Sequence, residues 1–503
     1  MILKKNITTV IFVATILRCI IALSINLGND EVYYISYAQH FQWNYFDHPP
    51  MVGLLIKLTT LDLFLNSDFF IRLGPIVLAA INTYLIYLIA KKIKDETSGL
   101  IAAMLYSTSI YSSIIAGLFI MPDSPQLFFW ILSIYLLVEI VSDKESRMSK
   151  KYALLLFGLM VGLCTMSKVH GVFLWIGYGL YILIYDRKSL ANPFLYLSVL
   201  VTVLVVSPIL FWNINNDFIT YNFHSERVAI TNKINIDSFI REFFGGILYN
   251  NPLNYFLLIS SLIACWKGKI LIEKKHIRML VLLSLPLIGT LLFVSFFKDT
   301  LPHWSGPAYT SLIILSACYL STAKPHLQKL VTASAYLIVS VCFLGIIIIR
   351  FFPGTLGNKT DEKLGEGDAT IDMYDWAFFK EEIKKIQQSD KKSHKTQTNF
   401  IVSNKWFPAA HIDHYIAQPL QMDLTVIGDL QEIHTYYWLN QYRKQLKTNE
   451  DAYFITFSSN FKDPNEQYSS IFKRINKPSI IKQYRGGKPV RNMLVYLMED
   501  YQL

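Results

Sequence analysis

Long apolar runs separated by short polar loops make up most of the first 350 positions of this 503-residue chain. A helix of roughly 20 apolar residues is long enough to cross a bilayer, and by this criterion about eleven runs are candidate spans. They lie at residues 7–27, 70–90, 98–117, 122–141, 152–167, 170–186, 194–212, 246–266, 277–297, 303–321 and 328–351. The pattern predicts an all-α polytopic membrane domain over residues 1–352.

The stretch after the first run is too polar to cross a membrane directly. Its segment SYAQHFQWNYF is amphipathic and favours a helix that lies in the membrane interface. Pro49 and Pro50 should end that helix, because proline lacks a backbone N–H and restricts the residue before it. The run that starts at Met51 predicts a second interfacial helix in this first outer loop.

The composition changes after residue 352. Residues 353–373 are polar and glycine-rich, which predicts a linker. Residues 374–503 then alternate helical and strand-like runs, with helices expected near 374–389, 406–417 and 431–446 and strands at NFIVSN, LTVIG, AYFITFS, IIKQYR and MLVYLM. This alternation predicts a small extracytoplasmic α/β domain. Docking of the acceptor is the role expected for this domain.

Composition and charge agree with a membrane protein. Hydrophobic residues make up 52% of the chain, and its mean hydropathy is +0.34. The net charge of +10 does not indicate nucleic-acid binding, because the charges sit in short loops between apolar runs. The five cysteines lie in or beside apolar runs and none forms a CxxC pair, so we expect packing roles for them.

Alternate loops are rich in lysine and arginine, which predicts a cytoplasmic N-terminus and defines the cytoplasmic side. These loops lie at 91–96, 142–151, 186–189, 266–278 and 323–329. The loops on the opposite side instead carry acids, histidines, aromatics and prolines. We therefore expect the chemistry on the extracytoplasmic face of a cell (inner) membrane.

Four carboxylates stand out on that outer face. Asp30 and Glu31 follow the first span, Asp47 precedes a double proline, and Asp123 stands between Pro122 and a second proline. A carboxylate shielded at the membrane surface could act as a general base. Each acid could instead be an ordinary helix cap.

Four candidate cations face the same side: His48, Lys168, His170 and His303. A lysine in an outer turn departs from the usual charge rule and would suit a lipid phosphate. Each could have a structural role instead of a functional one. The Asp47–His48 pair could form a helix-initiating turn, and His303 could belong to an interfacial aromatic belt. Two adjacent ligand types are poor evidence for a metal, so no metal site is predicted, although a divalent ion would be compatible.

Taken together, outer acids, cations and interfacial aromatics suit a lipid-linked phosphosugar, with aromatics against the sugar ring. The ordered motifs DE, YFDHPP, PDSP, SK and HW, followed by Tyr309, resemble the GT-C superfamily. More narrowly they are similar to the bacterial branch related to protein O-mannosyltransferases and the lipid A aminoarabinose transferase. The resemblance covers about residues 5–350 and extends loosely over the C-terminal domain.

This resemblance implies a polyprenyl-phosphate-sugar donor and transfer with inversion outside the cytoplasm. It implies a base or acceptor-orienting role for Asp30, with Glu31 as its neighbour, and a phosphate contact for Lys168. Asp47 and Asp123 match the family's other acids. In the aminoarabinose branch a lysine precedes the double proline, where this chain has His48, so the sugar stays open.

The sequence therefore predicts an integral membrane glycosyltransferase that acts on a lipid, polymer or protein acceptor, with membrane lipids around it and no nucleic acid. The alternative from another class is a transporter or flippase for a lipid-linked or small polar solute. Transporters usually place ionisable groups near mid-membrane and often show paired repeats. Here the ionisable groups cluster at one face and no repeat is visible. A non-catalytic membrane scaffold is a third reading.

Overall fold

The computed structural model describes residues 6–142, 148–228 and 234–502. The chain divides into two compact units: the first holds the residues up to Ile20 with Phe41–Val341, and the second holds Ile21–His40 with Cys342–Leu503. Half of the cytoplasmic loop predicted at 142–151, residues 143–147, lies outside the described residues. The predicted boundaries at 352 and 373 stay predictions, but the second unit also takes in the segment after the first apolar run.

Helices account for nearly all of the first unit. In chain order the helices up to residue 351 are α1 (Ile7–Ser24), α2 (Asn29–Gln39), α3 (Met51–Thr59), α4 (Asp68–Ile93), α5 (Glu96–Thr108), α6 (Asp123–Val141), α7 (Lys150–Ser167), α8 (Phe173–Tyr185), α9 (Pro193–Ile214), α10 (Ile219–Val228), α11 (Ile236–Tyr249), α12 (Pro252–Trp266), α13 (Lys274–Leu282), α14 (Leu285–Val294), α15 (Gly306–Leu320) and α16 (Pro325–Phe351).

Seven helical stretches among the described residues are long and apolar enough to cross a membrane, and α13 with α14 counts as one of them. Three shorter apolar helices, Val169–Tyr185, α12 and α15, match three further predicted spans. The run predicted at 98–117 is broken, because α5 ends at Thr108, Ser109 is extended, and a π-helical turn follows at Tyr111–Ile115. The number eleven stays a prediction.

Helix α6 lies at the centre of the first unit. Leu127, Trp130, Ile131 and Ile134 on it are fully buried in one continuous core that includes residues of α4, α5 and α7. Helices α7 and α9 approach closely at Gly158, where an added Cβ would lie 2.1 Å from the carbonyl oxygen of Ser198. The hydrophobic effect does not drive helices together inside a lipid bilayer, so their association depends on close packing. Small residues such as glycine allow that close packing.

The loop that the sequence predicts to be the first outer loop is only partly helical. Helix α2 ends at Gln39 and His40 is extended, so the helix expected over SYAQHFQWNYF stops before its aromatic end. Pro50 directly precedes α3, which matches the second predicted helix. Residues 41–50 therefore form an irregular segment that carries Asp47 and His48.

The second unit contains a six-stranded sheet of β1 (Phe400–Ser403), β2 (Asp423–Val426), β3 (Ala452–Phe457), β4 (Phe472–Ile475), β5 (Ser479–Arg485) and β6 (Lys488–Tyr501). Strand β1 pairs in parallel with β2 and β3, whereas β6 pairs antiparallel with β3, β4 and β5. The remaining helices are α17 (Trp376–Lys392), α18 (Trp406–Ile412), α19 (Leu430–Ile433), α20 (Tyr436–Leu439) and α21 (Pro464–Tyr468).

The pattern of the α/β domain agrees with the sequence except at two places. The helix expected near 431–446 is reduced to the two short helices α19 and α20, and β4 was not predicted. Strand β4 pairs with the end of β6, from Phe472 opposite Tyr501 to Ile475 opposite Met498. Its exposed Lys473 and Arg474 hide the apolar alternation that marks the other strands.

Arg485 ties the predicted linker to the sheet. Its guanidinium is fully buried, donates to the carbonyl oxygens of Phe352 and Gly354, and contacts Asp368 at 3.2 Å. A buried charge is tolerated only when its hydrogen bonds are satisfied, so these groups stabilise each other.

Replacing Arg485 by methionine should destabilise the protein by about 3–5 kcal/mol, because Asp368 would remain buried without its cation. Thermal unfolding of the full-length protein in detergent measures the loss. Arg474→Met is the control: its pair with Glu499 is exposed, so we expect a change within about 0.5 kcal/mol. Equal shifts for both variants would contradict this account.

Candidate active site

A buried ion pair joins the ends of α6 and α7. Lys168 Nζ donates to Asp123 Oδ2 at 2.8 Å, and both side chains are almost fully buried. The second carboxylate oxygen, Oδ1, accepts the Tyr111 hydroxyl at 3.1 Å. Both oxygens of Asp123 are thus occupied, so the carboxylate holds the ammonium group of Lys168 in place.

The local fold explains this position. Lys168 is the capping residue directly after α7; its backbone is extended, and its N–H donates to the carbonyl oxygen of Cys164. A short 3-10 turn at Val169–Val172 then folds back against α7. Gly171 permits this, since an added Cβ would lie 2.6 Å from the backbone nitrogen of Thr165. The turn carries His170.

Four histidines surround the pair, and the charge of Lys168 acts on each of them. His224 Nε2 lies 2.7 Å from the carbonyl oxygen of Asp47, and its ring centre is 6.0 Å from that of His48. The predicted residues that the structure brings together in the first unit are Asp47, His48, Asp123, Lys168, His170 and His303.

Burial keeps two of these imidazoles neutral. It lowers the pKa of His48 to about 3, although the Asp47 carboxylate partly opposes the shift. Burial also lowers the pKa of His303 to about 4, and Lys168 adds to that effect. Neutral histidine still donates one N–H, so these side chains can hydrogen-bond an anion without adding charge.

Because these pKa values lie far below neutrality, we expect the KM for an anionic donor to be flat between pH 6 and pH 8. An ordinary histidine would titrate near 6.5 and give an inflection in this range. Steady-state kinetics at a series of pH values checks this, and a KM that rises steeply through pH 6.5 would contradict it. The same shifts affect stability. Above about pH 6.5 both histidines are neutral in the folded and the unfolded state, so the folded state has its full stability there. As the pH falls from about 6.5 towards the folded pKa values, the unfolded state binds more protons and the free energy of unfolding decreases.

Asp30 and Glu31 belong to the second unit. Glu31 is buried in the first turn of α2, and its Oε2 accepts the backbone N–H of Gly28 at 2.8 Å, as in a capping box. Asp30, in the same turn, is exposed. The two adjacent acids therefore differ in burial: the Glu31 carboxylate is buried against the Gly28 N–H, whereas Asp30 is exposed.

Three further residues of the first unit contact the predicted site residues or the turn that carries His303, and the sequence does not indicate them. Tyr111 lies inside an apolar run, and His224 lies in a polar stretch that contains no distinctive motif. Glu242 on α11 is buried, which raises the pKa of its carboxyl. It accepts from Thr300 at 2.8 Å and Ser305 at 3.4 Å, so it brackets the turn that carries His303.

Within the three described ranges, no group of three or more histidine, cysteine, aspartate or glutamate residues has the arrangement that would hold a metal ion. The residues brought together at the site offer one held ammonium group and several neutral hydrogen-bond donors. Such an arrangement suits a phosphate group better than a carbonyl substrate, since phosphate presents several acceptor oxygens.

Part of the chain is similar in sequence to known proteins. Residues 47–212 match the family described as dolichyl-phosphate-mannose-protein mannosyltransferase. The chain is also similar to the lipid A galacturonosyltransferase RgtD of Rhizobium johnstonii, with 24% identity over 351 residues and 69% of each protein covered. The family match spans Asp47, His48, Asp123, Lys168 and His170.

Two solved structures of ArnT from Cupriavidus metallidurans share the fold of the chain. One is the apo state and the other is bound to undecaprenyl phosphate; each has a TM-score of 0.66, 12% identity and coverage of 97% of both chains. The predicted fold class, a polytopic helical domain with a small C-terminal α/β domain, is confirmed by this likeness.

Proposed function

We propose a donor site, a reaction step and an acceptor class for this chain, which belongs to the GT-C superfamily and is a membrane glycosyltransferase that uses a lipid-linked donor. It is a multi-pass protein of the inner membrane. The observation that carries the proposal is the buried Lys168–Asp123 pair, which lies among neutral histidines where α6 begins and α7 ends. No observation favours the transporter alternative.

The donor phosphate is placed at Lys168. Asp123 accepts one proton of the Lys168 ammonium group. The other two ammonium protons are then available to a phosphate oxygen. His48, His170 and His303 supply neutral N–H donors around it. A cation fixed in advance at a low-dielectric site stabilises developing negative charge more than a mobile one, because no reorganisation is needed during the reaction.

In the transfer step the acceptor hydroxyl oxygen attacks the anomeric carbon of the sugar. The bond between that carbon and the phosphate oxygen breaks, and its electron pair leaves with the polyprenyl phosphate. Asp30 takes the hydroxyl proton, and Asp47 orients the acceptor. The role of Asp30 rests on the resemblance of the motif order, and the attack from the face opposite the phosphate inverts the anomeric configuration.

The acceptor that we favour is a lipid A-type glycolipid, because the curated relative acts on lipid A. The transferred sugar is a hexose or pentose derivative. The lysine-rich loops that lie on the other side of the bilayer from Asp123 support a reaction on the extracytoplasmic face, with the N-terminus inside the cell.

The first experiment measures turnover of the purified protein with radiolabelled polyprenyl-phosphate sugars: galacturonic acid, mannose and aminoarabinose donors, each with lipid A. Transfer from one donor identifies the sugar. Consumption of no donor together with solute or lipid flux across vesicles would favour the transporter instead.

Lys168→Gln should lower kcat/KM for the donor by about 100-fold or more, since the charge that stabilises the leaving phosphate is lost. Lys92→Gln is the matched control. Lys92 pairs with the buried Glu139 near the other end of α6, so its loss also removes the cation beside a buried carboxylate but leaves the site intact. Similar activity losses in both variants would show that general destabilisation, and not phosphate binding, explains the effect.

Asp30→Asn should reduce kcat by about 10²–10⁴-fold, the range expected when a general base is removed. Glu31→Gln is its neighbour control, because glutamine can keep the capping contact to Gly28. We expect near-normal turnover for Glu31→Gln. Near-normal turnover for Asp30→Asn would exclude Asp30 as the base.

A further inference from the structure

Within the second unit, the segment that carries Asp30 is bound by the C-terminal α/β domain together with the last residues of the predicted linker. The backbone N–H of Asn26 donates to the carbonyl oxygen of Met373 at 3.1 Å. The backbone N–H of Leu27 donates to the Tyr415 hydroxyl at 2.8 Å, and Leu27 is fully buried. Residues far along the chain therefore fix the backbone just before α2.

His411 and Asp372 continue this contact. His411 Nε2 lies 3.2 Å from the carbonyl oxygen of Leu27 and 3.1 Å from that of Asp372. The carboxylate of Asp372 accepts the side-chain amide of Asn29, the first residue of α2, at 2.9 Å. His411 is itself fully buried and stacked on Trp376, with ring centres 4.3 Å apart.

The far end of α2 is held by the same domain. Gln39 donates to Asp413 at 3.3 Å and accepts from Arg443 at 2.9 Å. The His40 ring stacks on Tyr442 with centres 3.6 Å apart. Both ends of an 11-residue helix are thus anchored to residues that lie more than 340 positions later.

We propose that the C-terminal domain positions Asp30, and that Tyr415, His411 and Asp372 act as positioning residues. An isolated helix of this length is marginal in water, so its first turn needs tertiary contacts to hold one geometry. When the backbone that carries a catalytic carboxylate shifts by about 1 Å, the reaction rate can fall by about 100-fold. This inference rests on the proposed function and gives the domain a role besides acceptor docking.

Tyr415→Phe tests the proposal, because it removes one hydroxyl and leaves the buried Leu27 N–H without that acceptor. We expect kcat to fall about tenfold, the equivalent of one lost buried hydrogen bond, with the KM for the donor unchanged. Tyr374→Phe is the matched control. Its hydroxyl donates to Tyr484 at 3.1 Å in the same domain and has no such contact with residues 26–40.

A double-mutant cycle with Asp30→Asn shows whether Tyr415 acts through Asp30. If it does, Tyr415→Phe should cost little further activity in the Asp30→Asn protein, although it costs about tenfold in the wild type. Amide hydrogen exchange at residues 26–31 should quicken in Tyr415→Phe and stay unchanged in Tyr374→Phe.

The possible failures differ. Equal losses from Tyr415→Phe with and without Asp30, or a raised donor KM at constant kcat, would overturn the positioning role while leaving Asp30 as the base. Full activity of Asp30→Asn would overturn the proposed base and the positioning role together. Full activity of Tyr415→Phe beside an inactive Asp30→Asn would overturn the positioning role alone.

Discussion

The need to stabilise one buried ammonium group shapes the candidate site. Lys168 is almost fully buried, and a lone charge in such surroundings is very unfavourable. Asp123, the first residue of α6, meets this need, and the Tyr111 hydroxyl occupies its other oxygen. The turn after Lys168, the break after α5 and the start of α6 thus meet at this one ion pair. The imidazoles of His48 and His303 then stay neutral, since burial and the nearby ammonium disfavour a second positive charge.

Much of the fold could be predicted from the sequence because apolar length and charge asymmetry are local signals. The apolar runs predict the bounds of α4, α6, α9 and α16 to within three residues at each end. The alternation of helical and strand-like runs predicts the positions of β1, β3 and β6. The π-helical turn at Tyr111–Ile115 could not be predicted, because its residues are as apolar as those of a regular helix. Strand β4 was missed because pairing with β6, and not its own pattern, determines it.

The candidate site divides in the same way. Asp47, His48, Asp123 and Lys168 stood out because polar residues between prolines or at the ends of apolar runs are unusual in a membrane protein. His224 and Glu242 did not stand out, since their roles come from contacts with Asp47 and with the 300–305 turn, which are distant in sequence. The grouping of residues 21–40 with the C-terminal domain is likewise a long-range property.

The pairing of Lys168 with Asp123 also bears on how a leaving phosphate would be stabilised. A phosphodiester donor carries one negative charge, and the pair that meets it is close to neutral overall, so the ground state is attracted only moderately. As the bond to the sugar breaks, a second negative charge develops on the phosphate, and the ammonium then interacts more strongly with it. This additional attraction appears only as the bond breaks, so it raises kcat. The Asp123 carboxylate weakens the attraction in both states, and its contribution is that it lets the ammonium group stay charged in a buried position and holds it at one place.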